Sequence, residues 1–312
     1  MDTRNMPKMF IFEGPDCCGK TTQSRFLQKQ FKNSIYIHFP RKNKEVSQVY
    51  VDTTATLYNK EFMEAVKTDT EKRYMLMDVL KRNVTVNGDD KIDFLNYFVN
   101  KINNINLSGT LNFLDLANFE FTVDGERVFY DTNGSSEKIA WLLKNLDAPD
   151  TAIILDRFVI SGKCYNEFIP IQMVNKYLSD CSWASDVITN IETAQRIVDS
   201  KIFFLMNNFD CKTFIFGRSE ILASKAAVDE RRVNDAYDAN NDIKVFSDKF
   251  FKETKISSSP GKLISLNTDL CMNDELNKKL FAEEKPYKVI SDMIDREYIP
   301  DDDIKFTTLM RI

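Results

Sequence analysis

"FEGPDCCGKTTQ", Phe12–Gln23, decides the fold. Within it Gly14-Pro15-Asp16-Cys17-Cys18-Gly19-Lys20-Thr21 satisfies the spacing G-x-x-x-x-G-K-[ST]. Successive backbone N–H groups that curl around an anion require glycine wherever the chain approaches closely or takes positive φ. A helix opening at Lys20 turns its N-terminal amides and positive dipole end toward the same anion. Lys20 then reaches the β- and γ-phosphates of ATP, and the Thr21 hydroxyl is a ligand for Mg²⁺. The candidate ATP-binding set is therefore Gly14, Pro15, Asp16, Cys17, Cys18, Gly19, Lys20, Thr21 and Thr22. Such a match arises by chance in a chain of this length on the order of one time in a hundred. The competing reading is a glycine turn that binds nothing.

Composition narrows the chemistry. The 312 residues allow a sizeable core, with 43% hydrophobic and 29% charged residues as in soluble globular proteins. A net charge of −5 supplies no positive field for a nucleic-acid polymer, so none is expected as a partner. No apolar run reaches membrane-spanning length, and MDTRNMPKMF carries no signal-peptide core, so no membrane partner is expected. The six cysteines form no C-x-x-C pair, which fits reduced thiols in an intracellular, cytoplasmic compartment. An Asn-, Lys- and Phe-rich, glycine-poor composition is that of an AT-biased genome, such as a viral one acting in host cytoplasm. His38 is the single histidine, so Ser-His-Asp and Cys-His catalysis are out, whereas phosphoryl transfer needs none.

Lys8–Glu13 (KMFIFE) reads as a buried strand running into the glycine loop, and Thr21–Phe31 as a helix with Phe26, Leu27 and Phe31 on one side. Further apolar runs lie at Ser34–His38, Thr151–Leu155, Lys212–Phe216 and Lys262–Leu266. Helical stretches separate them, so the expectation is an α/β fold in three layers: a five-stranded parallel sheet with helices on both faces. Lys201–Met206 (KIFFLM) is strand or helix end by its own pattern, and the nearness of the run at 212 favours helix. Glu61–Arg82, Ile92–Asn104 and Glu137–Leu146 read as helices, and Phe119–Tyr130 as a hairpin about Asp124-Gly125. The domain expectation is one unit over 1–282, with an insertion over about 60–150 lying over one end of the sheet. Residues 283–312 follow as an extension of unknown role.

Two stretches resemble the thymidylate kinases of the nucleoside-monophosphate kinase family. "FEGPDCCGKTTQ" matches their strand, Glu-Gly, Asp, then Gly-Lys-Ser/Thr-Thr-Gln. "LDRFVISGKCYN" matches their Asp-Arg-aromatic segment, with Ser161 four residues after Arg157 and Tyr165 four after that. Phe39-Pro40-Arg41 stands where the family carries Phe-Pro and an arginine, 214–242 where it has a strand, helix and basic lid (about 225–242), and Leu266–Asp269 at the adenine side. The insertion and the C-terminal extension lie outside this resemblance.

The resemblance implies roles. Arg157 would grip the acceptor monophosphate, its fork matching phosphate oxygens. Asp156 would organise magnesium-bound water, so Thr21 and Asp156 are the implied metal residues. Asp16 would take the 3′-hydroxyl of a deoxyribose, or else cap its own turn. Tyr165 would pack on the 2′ edge of the sugar, or sit in the core as an ordinary aromatic. Ser161, Phe39 and Arg41 (or Lys42) complete the implied substrate set. Because Cys17 and Cys18 add no cation to the loop, the lid residues Arg231 and Arg232, with Arg218 and Lys225 nearby, are expected to meet the transition-state charge. A homodimer is also implied.

One departure stands out. The family stacks an aromatic residue on thymine and follows it one turn later with an arginine. "NFLDLANFE" (Asn112–Glu120) has Asn118 at the arginine's place, and "MLMDVLKRN" (Met75–Asn83) has Arg82 without the aromatic. The implied activity is transfer of the ATP γ-phosphate to a deoxynucleoside monophosphate, dTMP first, toward dTTP synthesis. The rival readings are a kinase for another monophosphate, modified pyrimidine nucleotide or nucleoside, and a catalytically degenerate kinase fold kept for binding or scaffolding.

Overall fold

The computed structural model describes residues 6–14, 20–39, 44–103, 119–129, 134–217 and 262–267. They fall into two compact units. A sheet unit takes the described residues of 6–38, 119–157, 208–217 and 262–267; a helical unit takes those of 39–103 and 158–207.

In the sheet unit the strands are β1 (Lys8–Glu13), β2 (Asn33–His38), β3 (Phe119–Val123), β4 (Glu126–Val128), β5 (Thr151–Asp156), β6 (Asp210–Gly217) and β7 (Lys262–Asn267). They form one sheet of seven strands in the order β4-β3-β2-β5-β1-β6-β7. The pairs joining β2, β5, β1, β6 and β7 are all parallel, as their unbroken apolar runs require. All five apolar runs read as strands are thus strands, within a residue or two at their ends.

Side-chain alternation sorts the core. Phe10, Phe12, Tyr36, Ala152, Ile154, Phe214 and Phe216 share one face and bury Leu27 of helix α1 (Lys20–Gln28), with Phe31 packed against them. The Phe12 ring lies 5.1 Å from Phe214 and 5.7 Å from Phe216, within the range of favourable offset stacking. Met9, Ile11, Ile35, Ile37, Ile153 and Leu155 point the other way and are equally buried. Helix α5 (Ser135–Lys144) packs against β3 and β4, so the mostly parallel sheet is flanked by helices.

The hairpin corrects one expectation. β3 pairs antiparallel with β2, so this part of the insertion lengthens the sheet rather than lying over its end. Phe119, Phe121 and Val123 are buried while Glu120 and Thr122 are half-buried, the alternation of a strand with two unlike faces. Asp124 (φ 53°) and Gly125 (φ 80°) are both left-handed, as the two-residue turn of a twisted hairpin demands. The turn is moored to β2 by Gly125 N–H to Lys32 O at 2.8 Å and Asp124 N–H to Asn33 Oδ1 at 3.0 Å.

The helical unit holds α2 (Lys44–Tyr58), α3 (Lys60–Val66), α4 (Thr70–Asn103), α6 (Val159–Lys163), a π-helical turn at Cys164–Phe168, α7 (Ile169–Leu178) and α8 (Ala184–Met206). KIFFLM is the end of α8. The helices expected at 61–82 and 92–104 are instead a short α3 and one 34-residue α4. Asp69 sets the start of α4, its Oδ1 accepting from Glu71 N–H at 2.9 Å and Lys72 N–H at 3.2 Å. Asn87-Gly88-Asp89-Asp90, residue types that favour turns, nevertheless lie within α4. A Cβ at Gly88 would come within 2.5 Å of Val198 Cγ1, so glycine is what lets α4 and α8 meet there. No helix among the described residues is long and apolar enough to cross a membrane.

Gly88→Ala gains helix propensity of about 1 kcal/mol but overpacks a site facing a stiff β-branched neighbour, an effect of about 1–3 kcal/mol. The expected outcome in chemical denaturation is a net loss for Gly88→Ala and substantial recovery in Gly88→Ala/Val198→Ala. Absence of that coupling would show that the close approach is not what fixes glycine at 88.

Candidate active site

Strands β1, β5 and β2 end side by side: Phe12 and His38 are the register partners of Asp156. In an open parallel sheet, ligands bind outside the carboxyl ends of the strands, where connections leave in opposite directions. β1 is such a strand, because the chain passes from it toward β2 on one side and reaches β6 on the other. The glycine motif sits at this end. Gly14 has φ 144°, a conformation side chains rarely adopt, as the chain leaves β1. Residues Pro15, Asp16, Cys17, Cys18 and Gly19 lie outside the described residues. Lys20 opens α1 and is buried, Thr21 is exposed, and Thr22 follows in the same helix.

Asp156 is fully buried, and among the described residues one of its oxygens takes all of its hydrogen bonds. Oδ2 accepts the Thr21 hydroxyl at 2.6 Å and the Tyr36 hydroxyl at 3.0 Å, and lies 3.3 Å from His38 Nδ1. Oδ1 is buried and has no hydrogen-bond partner among the described residues. Burial by itself pushes the Asp156 carboxyl up. The hydrogen bond and charge of His38, the charge of Lys20 and the Thr21 hydrogen bond outweigh it and hold the group well below the usual carboxylate range. Tyr36 moves the other way: burial, then the Asp156 charge, raise its hydroxyl, so it stays a donor at neutral pH.

This donor set fits a magnesium ion. Mg²⁺ keeps several waters and takes one or two protein oxygens beside the substrate phosphates, so a hydroxyl and a carboxylate suffice. A carboxylate with one oxygen pinned and the other without a hydrogen-bond partner among the described residues is compatible with such an ion. Thr21 and Asp156 are the residues that would hold it.

The chain turns sharply after β5. Arg157 has φ 68°, costly for a residue with a Cβ, and its N–H donates to Phe12 O at 2.8 Å, tying the turn to β1. Strained backbone of this kind persists where surrounding structure over-determines it, and it gathers at functional sites.

Other anticipated residues belong to the helical unit. Ser161 is buried on α6. Tyr165 lies on the π-helical turn with its ring edge-on to Tyr50 at 6.2 Å. Phe39 is fully buried, 5.0 Å from Phe158 and 5.2 Å from Phe94. Arg82 of α4, the arginine without an aromatic before it, is exposed and 3.7 Å from Glu45. Arg41, Lys42, Arg218, Lys225, Arg231, Arg232, Asn118, Thr268 and Asp269 lie outside the described residues. Thus Lys20, Thr21, Asp156 and Arg157 come together at one end of the sheet.

Motif reasoning missed Tyr36 and His38. Tyr36 looks like one more apolar strand residue, and His38 carries no motif beyond being the only histidine. Within the helical unit, Lys91 is buried on α4 and its Nζ donates to Asn87 O at 3.1 Å. A Cβ at Gly162 would stand 3.2 Å from that Nζ, so glycine leaves the ammonium its place.

No family model matches the chain, and no curated protein does. Among solved structures it is similar to a thymidylate kinase from Candida albicans, described as showing the origin of broad substrate specificity and a novel structural element. The identity is 14%, the alignment covers 91% of this chain and 93% of that one, and the TM-score is 0.36.

Two outcomes check this geometry. Arg157→Gly should be less destabilising than Arg157→Ala by about 1 kcal/mol in denaturant titration, because glycine alone takes the left-handed turn freely. Equal losses would remove the strain argument. For Asp156 the lowered pKa makes its contribution fully present above about pH 4, the ordinary carboxylate range. That contribution is lost as pH falls through the depressed value. The stability difference between wild type and Asp156→Asn should therefore be flat near neutrality and shrink only in strong acid. A difference that instead vanished between pH 7 and 5 would contradict the depressed carboxyl.

Proposed function

We propose that the chain is a nucleotide kinase that moves the γ-phosphate of ATP to a deoxynucleoside monophosphate, with dTMP the acceptor of first choice. The observation that carries this reading is the Thr21–Asp156 hydrogen bond, 2.6 Å long, joining the glycine motif's hydroxyl to the carboxylate at the end of β5. That bond joins the two stretches that carry the resemblance, the glycine motif's threonine and the Asp-Arg strand end.

In this reading Gly14 to Gly19 cradle the donor phosphates with backbone N–H groups, and Lys20 neutralises their charge from the first turn of α1. Thr21 and Asp156 hold Mg²⁺, which when bound screens the phosphate charge and orients the donor. Asp156 serves as an ionised anchor and not as a base, in keeping with its lowered pKa. No base is needed, because the attacking phosphate oxygen is already anionic. Arg157 orients the acceptor phosphate, and Arg41 supports it. Asp16, Ser161, Tyr165 and Phe39 shape the deoxyribose and base side, directly or as packing. Arg231 and Arg232 bring guanidinium charge to the transferring group, since Cys17 and Cys18 bring none. Catalysis is then positioning and charge stabilisation. A homodimer in the cytoplasm fits the same reading.

The test is ADP release coupled to a chromogenic readout, run against a panel of nucleoside and deoxynucleoside monophosphates. Turnover fastest with dTMP is expected, with Lys20→Ala lowering kcat by about a hundredfold or more. ADP formation with a different monophosphate would reassign the acceptor. A sample that binds ATP but turns over with none of them would make this a binding protein on a kinase scaffold.

A further inference from the structure

Asp156 offers two oxygens with different fates. Oδ2 is held by hydroxyl and imidazole groups, and Oδ1 is left without a partner among the described residues. A carboxylate torsion is soft and roughly two-fold, so burial alone does not decide which oxygen faces a ligand. Of the groups on Oδ2, Thr21 is exposed and is itself the implied cation ligand, and His38 is half exposed at 3.3 Å. Tyr36 is different: it is 2% exposed, its hydroxyl sits 3.0 Å from Oδ2, and it has no competing duty at the metal.

Tyr36 is itself held from outside the glycine motif. Ser24 Oγ lies 3.4 Å from its hydroxyl, and the Arg25 guanidinium covers its ring at 3.6 Å. Arg25 in turn makes a bidentate pair with Glu120, which stands directly across from Tyr36 in the β2–β3 register. Arg127 of β4 reaches the same carboxylate at 2.8 Å. The hairpin therefore connects, through Glu120 and Arg25, to the ring whose hydroxyl grips Asp156.

We infer that Tyr36 is a positioning residue for the metal site: its hydroxyl pins Oδ2 so that Oδ1 keeps one orientation, and the inserted hairpin holds the ring that does so. This rests on the nucleotide-kinase reading, and it assigns the hairpin a part in metal-dependent nucleotide binding. Tyr36→Phe keeps the ring under Arg25 and deletes only the hydroxyl.

The probe is Mn²⁺, titrated into the full chain with saturating ADP and followed by the electron paramagnetic resonance of free Mn²⁺. Loss of a partner behind a metal-ligating carboxylate weakens metal affinity by about tenfold. Tyr36→Phe should show a loss of that order, with metal-free ADP binding unchanged. Glu120→Gln should move the same affinity by a smaller factor in the same direction. Unchanged Mn²⁺ affinity in a folded Tyr36→Phe protein, with only its melting temperature lowered, overturns the proposal. Should that variant not fold, unchanged affinity in Glu120→Gln overturns it equally. A wild-type ADP complex that takes up no Mn²⁺ overturns the kinase reading as well, which separates the two failures.

Discussion

The sheet unit turns on a carboxylate that cannot be left alone. Asp156 is ionised and fully buried, and moving a lone carboxylate out of water costs far more than a domain's net stability. Its charge is tolerable because Thr21, Tyr36 and His38 converge on one oxygen while Lys20 lends positive charge. Those residues come from α1 and β2, so the carboxylate at the end of β5 fixes three elements relative to one another at the sheet's carboxyl end. The candidate site and this buried charge are therefore the same place.

Strain gathers around that point. Gly14 leaves β1 in a conformation closed to most side chains, and Arg157 leaves β5 in the left-handed region despite its Cβ. The Arg157 N–H bond to Phe12 O helps keep that turn, and the Phe12 ring stacks on Phe214 and Phe216. Aromatic packing on one face of the sheet thus supports the backbone geometry at its carboxyl end. The hairpin adds a second support, since Glu120 and Arg25 clamp α1 onto the extended sheet.

The helical unit follows a different rule, that of close approach. Gly88 admits Val198, and Gly162 admits the Lys91 ammonium. In both cases a missing side chain makes room for a neighbour that lies far away in sequence. Neither glycine has a positive φ, so local conformation gives no hint of why glycine is there.

The sequence by itself determined the five parallel strands, because an unbroken run such as FIF or AIIL in β1 and β5 can be buried on two faces only inside a parallel sheet. It also singled out Gly14, Lys20 and Thr21 as candidate site residues, because the motif that carries them is local and its spacing is short. Tertiary structure alone decided that the hairpin lengthens the sheet, that α4 runs through Gly88, and that Tyr36 and His38 meet Asp156. The hairpin's alternation reads the same whether it pairs with β2 or stands elsewhere, and an Asn-Gly-Asp-Asp stretch signals a break unless a partner helix fills it. Residues separated by 120 positions, as Tyr36 and Asp156 are, become neighbours through strand register, which no short motif encodes.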